Sequence, residues 1–391
     1  MISKSFEVKF NFFVARIILI LLIITLSAPT LSVYAYSADP IEIFAPAKAM
    51  VVLEGNTNTV LYEFNKDVQL PMASVTKITT AILAIEECDD LNEIITVSDK
   101  AVGVEGTSIY LNKDEQISVK DLLLGLILAS GNDCAVALAE HFGGLEVFVK
   151  KMNNFVQKIG AVNTHYDNPH GLDSETHYTT AYDLALITSY ALKNEIFRDV
   201  STTKYATIEK TNNHEKRYLK NKNKLLFKME NCIGVKTGFT DNAGRCLVNA
   251  HEENDMQIIS VVLSCGPMFE ECERLTKKAL DEYEMVTFVK PYNYISDVIV
   301  ESGEVNNIGI ANVRGYKVPV LKSEKESYEV KYDFPNSVVA PIELNSVIGK
   351  VFVLKNGEIV FEENIYTIEE TRNIDIKHIL NNIISKFQIS N

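Results

Sequence analysis

The sequence predicts an α+β fold: an antiparallel sheet flanked by helices, with one all-helical section, followed by a small all-β domain. Three observations support this prediction. Strand patterns occur at residues 49–65 and again at 232–263, and helical patterns occur between them, from Pro71 to residue 142. Short β-branched and aromatic runs then alternate with Gly, Asn and Pro over residues 291–370. The 391 residues suffice for one large domain and a smaller one.

The first half of the chain opens with a hairpin pattern and continues with helices. Residues 50–53 and 60–64 are rich in apolar side chains and flank a turn at residues 55–56, which predicts two paired strands. Beyond Pro71, apolar side chains recur at three- and four-residue steps and predict a helix: Ile78, Ala81, Ile82 and Ile85. Two more helices and the loop between them are predicted at residues 119–128, 134–142 and 129–133.

The second half predicts an antiparallel meander and a helix that could cover it. The three strands of the meander are joined by short turns and lie at residues 232–239, 246–250 and 257–263. A helical pattern at residues 277–283 could pack across this sheet. We therefore place a first domain at residues 36–290 and a β-rich second domain at residues 291–370.

The start of the chain has the features of a secretory signal peptide. Three basic residues precede an apolar run at residues 17–26, and the small residues Val33 and Ala35 follow it. This pattern predicts a signal peptide over residues 1–35 with cleavage after Ala35, and the alternative is an uncleaved signal anchor. In both cases the remaining chain is expected outside the cytoplasm, in the cell envelope.

The end of the chain, residues 371–391, contains an amphipathic pattern. Its apolar side chains recur at helical spacing, with polar and basic residues on the other side: Ile376, Ile379, Leu380, Ile383, Ile384 and Phe387. Such a helix suits an anchor on the outer face of the cytoplasmic membrane. The alternative is a terminal helix docked on its own domain.

Charge and cysteine usage exclude two classes of function. The formal net charge is −14, from 38 Lys and Arg against 52 Asp and Glu, so no concentrated basic face for nucleic acid is expected. The six cysteines form no C-x-x-C pair and no Cys/His run at zinc-ligand spacing. We predict no metal site and no cofactor.

A first chemical motif lies where the first helix begins. Lys77 follows Ser74 by three residues, so both side chains share one helix face and the amine can reach the hydroxyl. The helix start also directs backbone N–H groups toward an oxyanion formed at Ser74. A second Ser-x-x-Lys copy, at Ser201 and Lys204, is read as chance because no amphipathic helix follows it.

Two further motifs follow in the chain. Ser130 and Asn132, in the loop between two helices, could relay a proton and hold a substrate amide. Lys236, Thr237 and Gly238 end a strand and could present a cation, a hydroxyl and an open backbone to an anionic peptide. Taken alone, the Ser130–Asn132 motif could be the end of one helix followed by the N-cap of the next. The Lys236–Gly238 motif alone could be an edge strand with an exposed lysine. Their occurrence together, in this order, favours a catalytic site.

These motifs resemble those of the penicillin-recognising serine enzymes, which have a β-lactamase/transpeptidase-like fold. Within that superfamily the chain is similar to the low-molecular-weight D-alanyl-D-alanine carboxypeptidases, also called penicillin-binding proteins. Other segments that carry the resemblance are residues 49–52, 168–172, 179–183, 221–223, 239–240 and 243–244. A β-rich second domain and a terminal amphipathic helix also fit this group.

The resemblance implies removal of the terminal D-alanine from peptidoglycan stem pentapeptides, with β-lactams as covalent inhibitors. Ser74 would attack the carbonyl between the two D-alanines, with Lys77 as general base. Ser130 and Lys236 would relay a proton to the departing D-alanine.

The resemblance also implies how the substrate is held. Asn132 would bind the substrate amide and Thr237 its terminal carboxylate, beside the open backbone of Gly238. The backbone N–H groups of Phe239 and Ser74 would form the oxyanion hole.

Two other functions compete with this interpretation. A β-lactamase shares the three motifs, but the Glu-x-x-x-Asn loop used for rapid deacylation does not occur between Asn132 and Lys236, so slow penicillin release is predicted. A non-hydrolytic β-lactam sensor would need a membrane-spanning transmitter, and beyond the signal segment no apolar run is long enough.

The residues that complete the carboxylate site are open at this stage. Some relatives have an arginine where Lys222 stands, and another arginine after the third meander strand, for which Arg245 and Arg274 are the candidates. His165, His170 and His177 are interpreted as loop and packing residues, because the Ser/Lys arrangement needs no histidine.

Overall fold

The computed structural model describes residues 41–42 and 45–374. The predicted signal peptide lies outside these residues, as does the predicted terminal helix. No helix in the described part of the chain is long and apolar enough to cross a membrane.

The described helices and strands up to the meander are β1 (Ile41–Glu42), β2 (Ala49–Glu54), β3 (Thr59–Phe64), α1 (Lys77–Glu86), β4 (Ile94–Thr96), β5 (Gln116–Ser118), α2 (Val119–Leu124), α3 (Asn132–His141), α4 (Leu145–Lys158), α5 (Ala181–Leu192), α6 (Glu195–Thr202), β6 (Tyr205–Ile208), β7 (Arg217–Lys220) and α7 (Leu225–Lys228).

The second half contains the meander, one long helix and the C-terminal strands. These elements are β8 (Cys232–Thr240), β9 (Gly244–Glu253), β10 (Met256–Leu263), α8 (Met268–Glu282), β11 (Tyr283–Val289), β12 (Tyr294–Glu301), β13 (Asn307–Asn312), β14 (Tyr316–Leu321), β15 (Tyr328–Asp333), β16 (Ser337–Val339), β17 (Val347–Lys355) and β18 (Glu358–Thr367).

The central sheet has six strands in the order β1-β3-β2-β10-β9-β8. All its neighbours pair antiparallel except β1 and β3, which are parallel. The predicted hairpin and meander are therefore confirmed, and β10 joins them by pairing with β2. β8 is an outer strand, so one of its edges has no strand partner within the sheet.

Both faces of this sheet are covered, and β2 shows how. Its side chains point alternately to the two faces. Val51 and Leu53 pack in a core shared with α1 and the helical section, whereas Met50 and Val52 pack in a second core beneath α8. All six residues of β2 are buried, which explains its near-continuous apolar sequence.

The boundaries of several predicted elements differ in the structure. One turn of 3-10 helix (Ala73–Thr76) precedes α1, and the predicted second helix ends in a π-helical turn (Gly125–Ala129). The loop after it is only Ser130 and Gly131, because Asn132 already begins α3. α8 starts at Met268 rather than at residue 277, since the charged residues between its buried apolar positions obscure the periodicity of its first turns.

The C-terminal part is a six-stranded sheet in the order β15-β17-β18-β13-β12-β16, with β11 and β14 as a separate pair. The strand β13 was not predicted, because its Asn and Gly residues are typical of turns.

The C-terminal strands begin at Tyr283, whereas the sequence places the limit between the two domains at residue 290. Tyr283 is buried in the core beneath α8 and donates a hydrogen bond to the Leu61 carbonyl at 3.2 Å. The exact limit between the two domains stays a prediction.

Candidate active site

The structure brings Ser74 and Lys77 into contact. Ser74 lies in the 3-10 turn, and Lys77 is the first residue of α1. The spacing of three residues puts both side chains on one side of this helical start, and Lys77 Nζ donates to Ser74 Oγ at 2.8 Å.

Lys77 has two other partners, and both are carbonyl oxygens. Its Nζ donates to Asn132 Oδ1 and to the backbone oxygen of His170, each at 2.6 Å. The side chain is completely buried, and this burial, reinforced by the charge of Lys222, lowers the pKa of Lys77 to about 7. The protonated amine donates to all three oxygens, whereas the neutral amine keeps two N–H groups for the carbonyls and has one lone pair. That lone pair is left for the Ser74 hydroxyl proton.

Ser130 and Lys236 form a second hydroxyl–amine pair. Lys236 Nζ donates to Ser130 Oγ at 3.0 Å and to the backbone oxygen of Thr237 at 2.8 Å. Ser130 has the left-handed backbone angles φ 64° and ψ 34°, a strained conformation that aims its side chain from a two-residue loop. Lys236 is buried, and burial, with the charges of Lys77 and Lys222, holds its pKa well below the usual value.

Asn132 is fixed by the loop that precedes β5. Its Nδ2 donates to the Glu105 oxygen at 2.6 Å, and its backbone N–H donates to the Thr107 oxygen at 2.7 Å. The neighbouring carboxylate of Asp133 accepts the backbone N–H groups of Ile109 and Leu111. Asn132 Oδ1 therefore faces Lys77 with no freedom to flip, because Nδ2 has its own acceptor.

Gly238 lets β8 approach the turn that carries Ser74. A Cβ atom at this position would lie 3.0 Å from the Met72 oxygen and 3.1 Å from the Ser74 nitrogen. Thr237 is half-buried beside it, and Phe239 is 61% exposed at the rim. The N–H groups of Ser74 and Phe239 thus belong to two backbone segments in close approach.

His177 stabilises the 3-10 turn that contains Ser74 through a hydrogen bond to Thr76. Its Nδ1 accepts the Asp167 N–H at 3.0 Å, so Nε2 carries the proton and donates to Thr76 Oγ1 at 2.8 Å. Thr76 in turn donates to the Ala73 oxygen at 2.9 Å. Burial lowers the pKa of His177 to about 4, so the ring stays neutral at pH 7.

The basic residues considered for the carboxylate site separate into two groups. Arg274 pairs with Glu271 on α8, on the sheet face away from Ser74. Arg245 lies directly opposite Phe239 in the sheet, and Lys222 is near enough to lower the pKa of both Lys77 and Lys236.

The second Ser-x-x-Lys copy is structural. Ser201 is buried and donates to the Ile233 oxygen at 2.8 Å, whereas Lys204 is exposed.

Among residues 41–42 and 45–374, no group of three His, Cys, Asp or Glu side chains is placed to hold a metal ion.

The sequence did not indicate the parts played by His170 and Glu105. Both contribute backbone oxygens, which carry no residue-type signature. Residues 168–172 carry part of the family resemblance, but that resemblance did not indicate that the His170 oxygen contacts Lys77. Residues 105–107 had no signal in the sequence.

This combination of sheet, helical section and paired Ser/Lys side chains defines a serine hydrolase with the penicillin-binding fold. A family profile described as D-alanyl-D-alanine carboxypeptidase matches residues 35–266, and one for the C-terminal domain of penicillin-binding protein 5 matches residues 283–372. The chain belongs to the D-alanyl-D-alanine carboxypeptidase family.

Individual relatives agree with this assignment. The chain is 32% identical over 341 residues to D-alanyl-D-alanine carboxypeptidase DacF of Bacillus subtilis, covering 85% of this chain and 87% of the relative. It is 31% identical to DacA of Haemophilus influenzae, with 83% and 85% covered. Penicillin-binding protein 5 from Haemophilus influenzae superimposes with a TM-score of 0.72 at 28% identity, over 85% of this chain and 99% of that one. The predicted fold class and enzyme class are confirmed.

Proposed function

We propose that Ser74 is the nucleophile of this D-alanyl-D-alanine carboxypeptidase and that Lys77 is its general base. The observation that carries the proposal is the buried amine of Lys77, 2.8 Å from Ser74 Oγ and held by two carbonyl oxygens. A hydroxyl is a weak nucleophile at neutral pH, and a neutral amine in contact with it can accept its proton as the oxygen attacks.

The substrate is a peptidoglycan stem peptide that ends in D-Ala-D-Ala. Ser74 Oγ attacks the carbonyl between the two D-alanines, and the backbone N–H groups of Ser74 and Phe239 stabilise the oxyanion. Ser130, in contact with Lys236 at 3.0 Å, passes a proton to the departing D-alanine amine. Water then hydrolyses the ester and releases the shortened peptide.

Substrate binding uses the free edge of β8. An extended peptide can pair with this outer strand, next to the open backbone at Gly238. Asn132 holds the substrate amide, and Thr237 meets the terminal carboxylate. Of the basic residues considered, Arg245 and Lys222 support the carboxylate site, because Arg274 is already paired on the far face of the sheet.

β-Lactams acylate the same serine, and the acyl-enzyme that they form is hydrolysed slowly. Among the described residues, the hydrogen-bond partners of the Lys77 amine include no carboxylate that could activate a deacylating water. This favours a penicillin-binding carboxypeptidase over a β-lactamase. A non-hydrolytic sensor is separated from both by the assay below.

We place the enzyme outside the cytoplasm, in the cell envelope. The support is the sequence pattern at residues 1–35, read as a signal peptide, and the amphipathic pattern at residues 371–391, read as an anchor on the membrane surface. Residues 36–290 form the catalytic domain and residues 291–370 the β-rich domain in this proposal.

The test is D-alanine release from a synthetic acyl-D-Ala-D-Ala peptide, together with labelling by a fluorescent penicillin. The wild-type protein releases D-alanine and is labelled, whereas Ser74→Ala does neither. Ser201→Ala, in the structural copy of the motif, is the matched control and retains both activities. Labelling without D-alanine release would favour the sensor, and rapid loss of the label would favour the β-lactamase.

A further inference from the structure

A single peptide unit connects Lys77 to a side chain that no step of the proposed reaction uses. The unit joins His170 to Gly171, and its carbonyl oxygen accepts the hydrogen bond from Lys77 Nζ at 2.6 Å. Its N–H group, that of Gly171, donates to Asn168 Oδ1 at 2.7 Å. A trans peptide unit is planar, and its C=O and N–H groups point in opposite directions, so fixing one end of the unit also fixes the other.

Asn168 makes two more hydrogen bonds to the same loop. Its Oδ1 also accepts the His170 N–H at 3.2 Å, and its Nδ2 donates to the Leu172 oxygen at 3.0 Å. Asparagine side chains often stabilise a turn by bonding to the backbone two residues further on. The backbone of residues 170–172 is therefore held by one side chain at three points.

Glycine at position 171 leaves the peptide unit free to rotate unless something holds it. Gly171 has a φ of +93°, and an added Cβ would lie 1.9 Å from the Ala73 oxygen, so the position requires glycine. Because glycine adopts positive and negative φ with similar ease, its backbone resists a rotation of this unit only weakly. The rotated unit would turn the His170 oxygen away from Lys77 and toward Asn168 Oδ1, where two acceptors would meet.

The chain before His170 is held by other side chains. Thr80 Oγ1, one turn beyond Lys77 on α1, donates to the Pro169 oxygen at 2.6 Å. Asn153 on α4 accepts the Tyr166 N–H and donates to the Tyr166 oxygen, both at 2.9 Å. The part left to Asn168 is thus the orientation of the one peptide unit that contacts Lys77.

We propose that Asn168 is a positioning residue for catalysis, because it keeps the His170 carbonyl directed at the amine of Lys77. This inference rests on the proposed function, in which the neutral amine accepts the Ser74 proton. With its two N–H groups held by carbonyls, the amine has its lone pair directed at Ser74 Oγ. Without the His170 carbonyl the amine rotates, and the lone pair faces Ser74 for only part of the time.

Orientation and protonation of the amine have different effects on the pH profile. The amine is neutral at high pH in every variant, so a loss of orientation lowers the level that kcat/KM reaches there. A change in the pKa of Lys77 would only move the pH at which kcat/KM rises.

Replacing Asn168 by a neutral residue keeps the charges around the amine. After burial, which has the largest effect, Lys222 lowers the pKa of Lys77, whereas Cys134 and Asp133 raise it. The other titratable side chains that interact with Lys77 are Lys236, His170 and His177.

The experiment measures kcat/KM for D-alanine release from an acyl-D-Ala-D-Ala peptide between pH 5 and 9, with the full-length protein. Asn168→Ala removes the side-chain acceptor, whereas Asn168→Ser and Asn168→Asp keep one. The matched control is Asn153→Ala, because Asn153 also makes three hydrogen bonds to backbone atoms. Urea denaturation compares the stability of all variants.

We expect Asn168→Ala to lower the high-pH level of kcat/KM about tenfold. Asn168→Ser, with a shorter acceptor, should lie between Asn168→Ala and the wild type. Asn168→Asp should keep most of the wild-type level, and its rise should move to higher pH, because the added negative charge favours the protonated amine. Asn153→Ala should lose as much stability as Asn168→Ala and yet keep the wild-type level.

Two outcomes would overturn the proposal: equal high-pH levels in Asn168→Ala and Asn153→Ala, or a level for Asn168→Asp as low as that for Asn168→Ala. If Asn168→Ala does not fold, a wild-type level in Asn168→Ser, or one in Asn168→Asp below that of Asn168→Ser, would overturn it. A wild-type protein that releases no D-alanine, or whose profile is flat, would instead contradict the proposed function.

Discussion

The surroundings of the Lys77 amine determine its chemistry. Burial lowers its pKa from 10.5 to about 7, and two carbonyl oxygens fix the direction of its N–H groups. Below pH 7 the amine is protonated and cannot take the Ser74 proton, whereas above pH 7 it is neutral and can. This lowered pKa is what allows Lys77 to act as the base in the proposed mechanism, a role that an exposed lysine cannot fill at pH 7.

The pH dependence of catalysis follows from this pKa. We expect kcat/KM for D-alanine release to rise with pH through about 7 and then to level off, as Lys77 loses its proton. Lys77→Arg keeps the positive charge at all these pH values and lowers kcat/KM by about 10²–10⁴-fold. Lys204→Arg, in the structural motif copy, is the control and keeps the wild-type profile. A profile that stays flat between pH 5 and 9 would contradict Lys77 as the base.

Individual residues also show what sequence reasoning can reach. The contact of Ser74 with Lys77 was predictable, because three residues on a helix fix it. The contact of Ser130 with Lys236 spans 106 positions in the chain, so only the family resemblance indicated it. The His170 carbonyl on Lys77 was not predictable at all, since every residue has a carbonyl.

At the scale of elements, the site depends on how closely β8 lies against the Ser74 turn. Glycine at position 238 permits this approach, since a Cβ atom would come within about 3 Å of two backbone atoms.

The hairpin of β6 and β7 is attached to the rest of the domain by an ion pair and hydrogen bonds. Arg217 forms a buried ion pair with Glu115 and also donates to the Ile109 and Tyr110 oxygens, in the loop that fixes Asn132.

Gly238→Ala should slow acylation more than it destabilises the fold. The added methyl must displace β8 or the Ser74 turn by a few tenths of an ångström, which misplaces the nucleophile relative to the oxyanion donors. We expect the rate of penicillin acylation to fall about tenfold. Gly266→Ala is the matched control, because nothing lies within 4 Å of its added Cβ. Equal acylation rates in both variants would contradict this explanation.

Arg217→Met should cost about 3–5 kcal/mol in the free energy of unfolding, because it leaves the buried Glu115 carboxylate without its cation. Urea denaturation measures this loss. The control Lys113→Met removes an exposed ion pair with Asp99 and should cost far less, because solvent screens the pair. A similar small cost for Arg217→Met would show that the buried pair is not what holds the hairpin to the loop.

At the scale of the whole molecule, the two faces of the central sheet have different tasks. One face carries the helical section and all the proposed catalytic side chains, and the other is covered by α8 and connected to the C-terminal strands through Tyr283. The alternation of strands and helices predicted this architecture. The start of α8 and the strand β13 escaped prediction, because packing rather than local sequence decides them.

The terminal segment gives a prediction at this scale. Deleting residues 375–391 should release the mature protein from membranes, because the amphipathic face that would contact lipid is lost. Activity on soluble peptides should be retained. Fractionation of cells that express both forms measures the first effect. Continued membrane association of the shortened protein, after signal cleavage, would contradict the anchor.

The acyl-enzyme itself tests the central claim most directly. The protein is quenched during turnover of an acyl-D-Ala-D-Ala peptide, digested, and analysed by mass spectrometry. We predict that the fragment containing Ser74 carries the substrate acyl group without the terminal D-alanine, and that Lys77→Arg forms little of it. D-Alanine release with no adduct on Ser74, or with the adduct on another residue, would contradict the account.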